Sequence, residues 1–154
     1  MMNPPRRVIA ATGPDGKSRV VHDGPAEVTH LGTMGIANLW TAPCAPVDNA
    51  APLDAHLGAF RFEQLAEPDC AMMLAEYAPG LGRDDPGMHF TDTADHFHVI
   101  AGEVVLVLDD GEVTLRAGDT GVVRGAVHGW RNDSAEIARM VTFVLPATPL
   151  HRGG

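Results

Sequence analysis

The sequence predicts an all-β fold of many short strands, and three observations support this prediction. The chain has 154 residues with 17 glycines and 12 prolines, so residues that favour turns interrupt it frequently. No stretch shows the sustained 3.6-residue periodicity of a long amphipathic helix. The second half instead contains six short apolar runs separated by turns with Gly, Asp or Asn, a pattern typical of an antiparallel sandwich or barrel.

Residues 1–69 predict an N-terminal extension that begins with a β-hairpin. Two alternating segments, residues 6–11 and 18–22, flank a Gly-Pro-Asp-Gly turn. From residue 24 to residue 68 the pattern is irregular, so we expect loops with one or two short strands. We expect this extension to pack on the barrel or on a partner subunit.

Residues 70–147 predict the barrel itself. Its first strand covers residues 70–77 and ends before Pro79-Gly80. Six further strands follow, over residues 95–100, 104–108, 112–115, 120–123, 128–131 and 138–145. The tail, residues 148–154, ends in Gly-Gly and is expected to fray.

Charge and apolar patterning exclude several classes of function. The chain has 11 Lys and Arg against 20 Asp and Glu, a net charge of −9, which argues against nucleic acid or an anionic membrane as a partner. No window approaches the roughly 18 apolar residues of a membrane span, and the N-terminal apolar run is too short for a secretory signal. The sequence therefore predicts a cytoplasmic protein.

The two cysteines give no sign of a disulfide framework. Cys44 and Cys70 lie far apart, with neither a CxxC motif nor a Cys/His spacing typical of zinc sites. We expect two small, buried or half-buried thiols.

Strand parity sorts the polar residues of the second half into two groups. Successive side chains of a strand point to opposite faces, so Asp95 shares a face with Phe97, while His96 and His98 point the other way. Likewise, His128 shares a face with Trp130 and Asn132 on another strand. We expect the Asn132 amide to close a turn.

If these shared faces line a barrel interior, His89, Asp95 and His128 converge from three neighbouring segments. Two neutral imidazoles and one carboxylate are the ligands typical of mononuclear Fe(II) centres with open coordination positions. Mn, Ni, Co or Zn could bind the same set. The competing interpretation is a metal-free, hydrogen-bonded polar cluster.

Two spaced motifs contain these residues. One consists of Gly118-Asp119, His128 ten residues after that glycine, and Asn132 in a His-x3-Asn spacing. The other consists of Asp95, six intervening residues and Gly102-Glu103. Together they resemble the two motifs of the cupins, which are double-stranded β-helix barrels of the RmlC-like jelly-roll type. The resemblance covers about residues 70–147. The short spacing between the motifs is similar to that of small single-domain bacterial cupins.

The resemblance implies a ligand set, with three departures from the family pattern. His89 stands six residues before Asp95, where cupins place their first histidine. Thr91 replaces the usual second histidine, Asp95 the usual glutamate and Arg124 the usual proline of the second motif. A four-ligand set therefore becomes a set of at most three ligands, His89, Asp95 and His128, which predicts weaker metal binding.

A second alignment of the first motif is less consistent with the strand pattern. His96, His98 and Glu103 also match a His-x-His-x4-Glu fragment, but this frame leaves only residues 112–117 for the strands before the second motif. We therefore expect His96 and His98 on the outer face, covered by an N-terminal strand or a partner subunit.

The cupin resemblance implies a metal-dependent enzyme acting on a small, mostly apolar organic substrate of aromatic or polyketide-like type. With Fe(II), the favoured metal, a dioxygenase is expected; with a redox-inert metal, a lyase, cyclase or decarboxylase. A non-catalytic small-molecule binding protein is the alternative from another class. Candidate pocket-lining residues are Thr91, Phe97, Trp130 and Met140.

A homodimer is expected on two grounds. The N-terminal hairpin could lie across a neighbouring barrel and cover a sheet edge that would otherwise favour aggregation. The family resemblance implies the same state.

Overall fold

The computed structural model describes residues 1–44, 46–67 and 69–151. Within these residues the chain forms eleven β-strands: β1 (Arg6–Thr12), β2 (Ser18–Pro25), β3 (Val28–Leu31), β4 (Met34–Pro43), β5 (Asp69–Tyr77), β6 (Thr93–Ala101), β7 (Glu103–Leu108), β8 (Gly111–Arg116), β9 (Thr120–Arg124), β10 (His128–Arg131) and β11 (Ala138–Pro146). The only described helical segments are two four-residue 3-10 turns, Leu53–His56 and Phe62–Leu65, far too short to span a bilayer.

The strands form two main antiparallel sheets and a separate hairpin. The larger sheet has the order β3-β4-β5-β11-β6-β9, and the smaller has the order β10-β7-β8. Buried side chains of both sheets, together with Phe60 from the segment between the two 3-10 turns, form the main core, whose members are Ile36, Phe60, Ala75, Tyr77, Phe97, Val99, Val104, Leu106, Leu115, Val123, Ala138 and Met140. The predicted all-β barrel with an N-terminal strand extension is therefore confirmed.

The structure follows the strand predictions closely in the hairpin and the barrel. β1 and β2 form the expected hairpin, and each barrel strand lies within two residues of its predicted bounds. Beyond β11, residues 147–151 have no regular secondary structure, and residues 152–154 of the predicted tail lie outside the described residues.

The N-terminal extension contributes more to the barrel than its irregular pattern indicates. β3 and β4 join the larger sheet, and the ten-residue β4 pairs with β5 from Met34 opposite Tyr77 to Pro43 opposite Asp69. A register shift between Asn38 and Trp40 breaks the alternation of β4. Because of this irregularity, sequence patterning predicts only short strands in a region that contains a long one.

The prediction of two separate thiols was wrong. Cys44 and Cys70 form a disulfide, with their Cα atoms 5.3 Å apart. Cys44 directly follows β4, and Cys70 lies at the start of the neighbouring antiparallel strand β5. Strand pairing thus brings together two cysteines that are 26 residues apart, a relation that their spacing alone does not reveal.

Candidate functional site

Two of the three predicted ligands meet at one end of the barrel. His128 opens β10, and the extended segment around His89 forms an isolated antiparallel bridge with it. Each of the two residues donates its backbone N–H to the carbonyl oxygen of the other, at 2.9 Å. This bridge places the two imidazole rings side by side, with their centroids 4.6 Å apart.

Both rings are held in the same way by carbonyl oxygens of their own chain. His89 Nδ1 lies 2.7 Å from the carbonyl oxygen of Gly87, and His128 Nδ1 lies 3.0 Å from that of Ala126. A carbonyl oxygen only accepts hydrogen bonds, so Nδ1 carries the proton in each neutral ring. The Nε2 atoms therefore carry the lone pairs, and both can act as proton acceptors or as ligands.

The two histidines differ in their environment. His128 is buried, with 3% of its surface exposed, whereas His89 is exposed. Burial lowers the pKa of His128 below its usual value of 6.5, and the positive charge of a protonated His89 would lower it further. The hydrogen bond to Ala126 and the charge of Asp95 act in the opposite direction but do not cancel the effect. His128 is therefore a neutral base within the barrel, and the exposed His89 lies beside it.

The lowered pKa of His128 predicts a loss of stability in acid. Below about pH 6.5 the unfolded chain protonates this imidazole while the folded chain resists, so the free energy of unfolding should decrease as pH falls toward the folded-state pKa. Urea midpoints measured at about pH 7.5 and about pH 5.5 should differ less for His128→Gln than for the parent. An equal decrease in both proteins would contradict this assignment.

Asp95 is positioned by a chain of hydroxyl groups along β6. Thr93 Oγ1 donates to Asp95 Oδ1 at 2.6 Å, so its own oxygen accepts from Thr91 Oγ1, also at 2.6 Å. Thr91 and Thr93 also line a cleft of about 440 Å³ beside the barrel. The threonine that stands in place of the usual second histidine thus orients the carboxylate through Thr93.

Tyr77 is a candidate site residue that sequence reasoning missed. It is 5% exposed at the end of β5, and its ring centroid lies 6.1 Å from that of Trp130. Burial, together with the nearby charge of Asp95, raises the pKa of its hydroxyl well above the usual value. The phenol therefore stays protonated and can donate a hydrogen bond. No motif in the sequence marks it.

The predicted pocket-lining residues divide into core and rim. Phe97 and Met140 are buried members of the core, while Thr91 lies at the cleft. Trp130 is half-buried, with its ring centroid 5.4 Å from that of Phe97 and 5.9 Å from that of His128. The indole is therefore the apolar wall next to the histidine pair.

His96 and His98 lie outside this site. Both are exposed on the outer face of β6, opposite Phe143 and Val141 of β11, as strand parity predicts. The N-terminal hairpin is not among the residues that line the groove around them. The homodimer that would cover this face stays a prediction.

The arrangement does not complete the predicted three-ligand metal centre. In residues 1–44, 46–67 and 69–151, no three His, Cys, Asp or Glu side chains lie together in a way that could hold a metal ion. The structure brings His89 and His128 together, whereas Asp95 lies near enough to affect the pKa of His128 but is held by Thr93. The side chains as arranged do not fit a three-ligand centre, and the divalent metal, with Fe(II) favoured, stays a prediction.

Comparison with known proteins places the chain in a family. A model of the cupin domain matches residues 73–144, from within β5 to within β11. The cupin-domain-containing oxidoreductase srdB of Neurospora crassa is 30% identical over 151 residues, covering 95% of this chain and 76% of that protein. The chain belongs to the cupin-domain family.

Other relatives of this cupin chain match it over a shorter stretch. Phomopsin biosynthesis cluster protein C' of Diaporthe leptostromiformis is 45% identical over 69 residues, or 44% of this chain and 36% of that protein. The chain thus spans about a third of the length of that relative. Both named relatives are fungal, so they do not support the resemblance to bacterial members specifically.

A solved structure shows the same fold as this cupin chain. The cupin domain of Schizosaccharomyces pombe Cnp3 superposes with a TM-score of 0.58 over 92% of this chain and 87% of that one, at 13% sequence identity. At this identity the similarity concerns the jelly-roll barrel alone.

Proposed function

We propose that this cupin is an enzyme of small-molecule biosynthesis that transfers protons on a small, mostly apolar organic substrate. The observation that carries the proposal is the His89–His128 pair: the hydrogen bonds at Nδ1 leave both Nε2 atoms as acceptors, and the His128 ring lies beside that of Trp130. The relative in Diaporthe leptostromiformis is named as a biosynthesis cluster protein, which supports the same setting. The reaction class is a redox-neutral isomerisation, cyclisation or elimination.

The mechanism follows from the protonation states of the site. His128 is neutral because burial lowers its pKa, so Nε2 can accept a proton from a carbon next to a substrate carbonyl. Tyr77 keeps its proton and donates a hydrogen bond to the oxygen on which negative charge develops. The imidazolium then returns the proton to a different atom, or to a leaving group, and His128 becomes neutral again. No electrons are gained or lost overall.

A metal-dependent oxidoreductase, including the dioxygenase predicted from the sequence, is the second candidate. The specific observation in its favour is the name of the Neurospora relative, which matches nearly the whole chain. A ligand-binding protein without catalysis is the third outcome that the experiment separates.

Proton transfer can be tested without knowing the natural substrate. A panel of enolisable aromatic ketones and β-dicarbonyl compounds is incubated in D2O, and exchange of the carbon-bound hydrogen is followed by NMR. We expect exchange with the parent protein, and a rate lower by about 100-fold or more with His128→Gln, because a positioned base contributes roughly that factor. His30→Gln, at an exposed histidine of β3, is the matched control and should exchange like the parent.

Metal content and oxygen uptake are measured on the same preparation, purified without chelator. Stoichiometric Fe, Mn, Co, Ni or Zn that is lost in His89→Ala and His128→Ala, with oxygen uptake and no exchange, would overturn proton transfer in favour of the oxidoreductase. Saturable binding of the panel with neither exchange nor oxygen uptake would overturn both in favour of the binding protein.

A further inference from the structure

A second concave site lies outside the barrel, between the N-terminal hairpin and the segment that follows β4. This cleft has a volume of about 950 Å³, larger than the cleft of about 440 Å³ beside Thr91. One wall consists of hairpin residues such as Ile9 and Val21, and the opposite wall is formed by the segment around Asp48 and Leu53. Neither wall belongs to the region of the chain that carries the His89–His128 pair.

An aromatic pair with a fixed orientation lines this cleft. The rings of Trp40 and His56 are stacked, with centroids 4.4 Å apart and planes inclined by 26°. His56 is 4% exposed, and its Nδ1 donates to the carbonyl oxygen of Thr41 at 2.6 Å. This bond fixes the orientation of the imidazole ring. Because a buried histidine supports one of its faces, the Trp40 ring is held in place for a planar guest.

Two side chains of the cleft, Asp48 and Trp40, favour a positively charged guest molecule. Asp48 is exposed, and no Lys or Arg of the described residues forms an ion pair with it. Its Oδ1 accepts the backbone N–H of Ala50 at 2.8 Å, which orients the carboxylate. The face of an indole also attracts cations. A carboxylate and an indole ring thus line the same cleft.

The buried arginine of the hairpin does not reverse this charge pattern. Arg7 donates from Nη1 to the carbonyl oxygen of Asn38 at 3.1 Å, and both of its terminal nitrogens lie 3.5 Å from the carbonyl oxygen of Leu57. It is not among the residues that line the cleft. The chain as a whole carries a net charge of −9, which further favours a cation.

We propose that this cleft binds a small planar aromatic molecule that carries a protonated amine, with the ring against Trp40 and the ammonium group at Asp48. The apolar side chains of the hairpin and of Leu53 cover the rest of the ring. Recognition depends on two features at once, a flat apolar body and a positive charge at one end. A compound that lacks either feature should bind more weakly.

The experiment uses 2-phenylethylamine as the probe and NMR of the tryptophan indole N–H groups as the readout. The chain has two tryptophans, so Trp40 reports on the cleft and Trp130 reports on the barrel. We expect a saturable shift of the Trp40 signal with the Trp130 signal unchanged. Phenylacetate, which has the same ring and a negative charge, and 2-cyclohexylethylamine, which has the charge without the aromatic ring, should each bind at least tenfold more weakly.

Two variants distinguish the effect of the Asp48 charge from general effects of removing a charge from the segment after β4. Asp48→Asn should weaken binding of 2-phenylethylamine by about fivefold, the effect of losing one exposed ion pair. Asp54→Asn removes the same charge from the neighbouring 3-10 turn and should bind like the parent. Equal binding of phenylacetate, equal effects of the two variants, a shift confined to Trp130, or no saturable shift of Trp40 would each overturn the proposal.

Discussion

Replacing Gly82 by alanine is expected to destabilise the protein by about 3 kcal/mol or more, because two costs combine. Gly82 has φ = +71°, a conformation that L-amino acids with a side chain rarely adopt. A Cβ atom at this position would also collide with the carbonyl oxygen of Trp130 and lie 3.1 Å from the Cα atom of Arg131. Both contacts are with the backbone of β10, which cannot rotate aside as a flexible side chain can.

Gly80→Ala is the matched control for the collision. Gly80 has φ = +83°, but no atom lies within 4 Å of the position that its Cβ would take. Only the conformational cost remains, about 1 kcal/mol. The difference between the two losses in the free energy of unfolding, measured by urea denaturation, therefore gives the steric part alone. If both variants lose the same amount of stability, a collision with β10 does not contribute to the cost of Gly82→Ala.

The collision between the added Cβ atom and β10 in Gly82→Ala would also affect the geometry of the candidate site. Trp130 and Arg131 are in the same four-residue strand as His128, so a displaced β10 would alter the bridge between His128 and His89. Even if Gly82→Ala folds, we expect it to change the chemical shifts of both imidazoles. Gly80→Ala should leave them as in the parent.

Much of the fold could be predicted because local signals agree along the second half of the chain. Each strand from β6 to β11 is bounded by turn residues, and the buried faces of β6 follow the alternation of the sequence, as at Phe97 and Val99. β4 was not predicted at its full length, because its register shift near Asn38 breaks this alternation. Its place in the sheet depends on pairing with β5, a distant segment about which local pattern carries no information.

The candidate site was predictable only in part, for a similar reason. Strand parity and motif spacing identify His89 and His128, and the structure places their rings together. The same reasoning placed Asp95 on the inner face but did not show that Thr93 would hold its carboxylate. Tyr77 joins the site because its ring lies beside that of Trp130, a contact between distant strands that no local pattern indicates. The order of strands in the sheets decides which residues from distant strands come together. Sequence spacing reveals that order only where a known motif exists.

Asn132→Ala is expected to cost about 3 kcal/mol, since it leaves buried backbone groups without partners. Asn132 is 0% exposed, and its Nδ2 donates to the carbonyl oxygens of Tyr77 and Glu136, both at 2.8 Å. Its Oδ1 accepts from the backbone N–H of Ser134 at 3.0 Å and from the Ser134 hydroxyl at 2.8 Å. The side-chain amide closes the turn after β10, as the sequence predicted, and also ties that turn to the end of β5.

Ser134→Ala separates these two functions of the asparagine. It removes the hydroxyl from the same turn but leaves both bonds donated by Asn132, and Ser134 is half-buried, so we expect a loss of only about 0.5–1 kcal/mol. A comparable loss in both variants would show that closing the turn matters more than the bond to Tyr77. If the bond to Tyr77 dominates, Asn132→Ala should also alter the environment of the tyrosine ring beside Trp130, detectable in the near-ultraviolet circular dichroism of the folded protein. The asparagine of the His-x3-Asn spacing would then stabilise the barrel and position the phenol that the proposed chemistry uses.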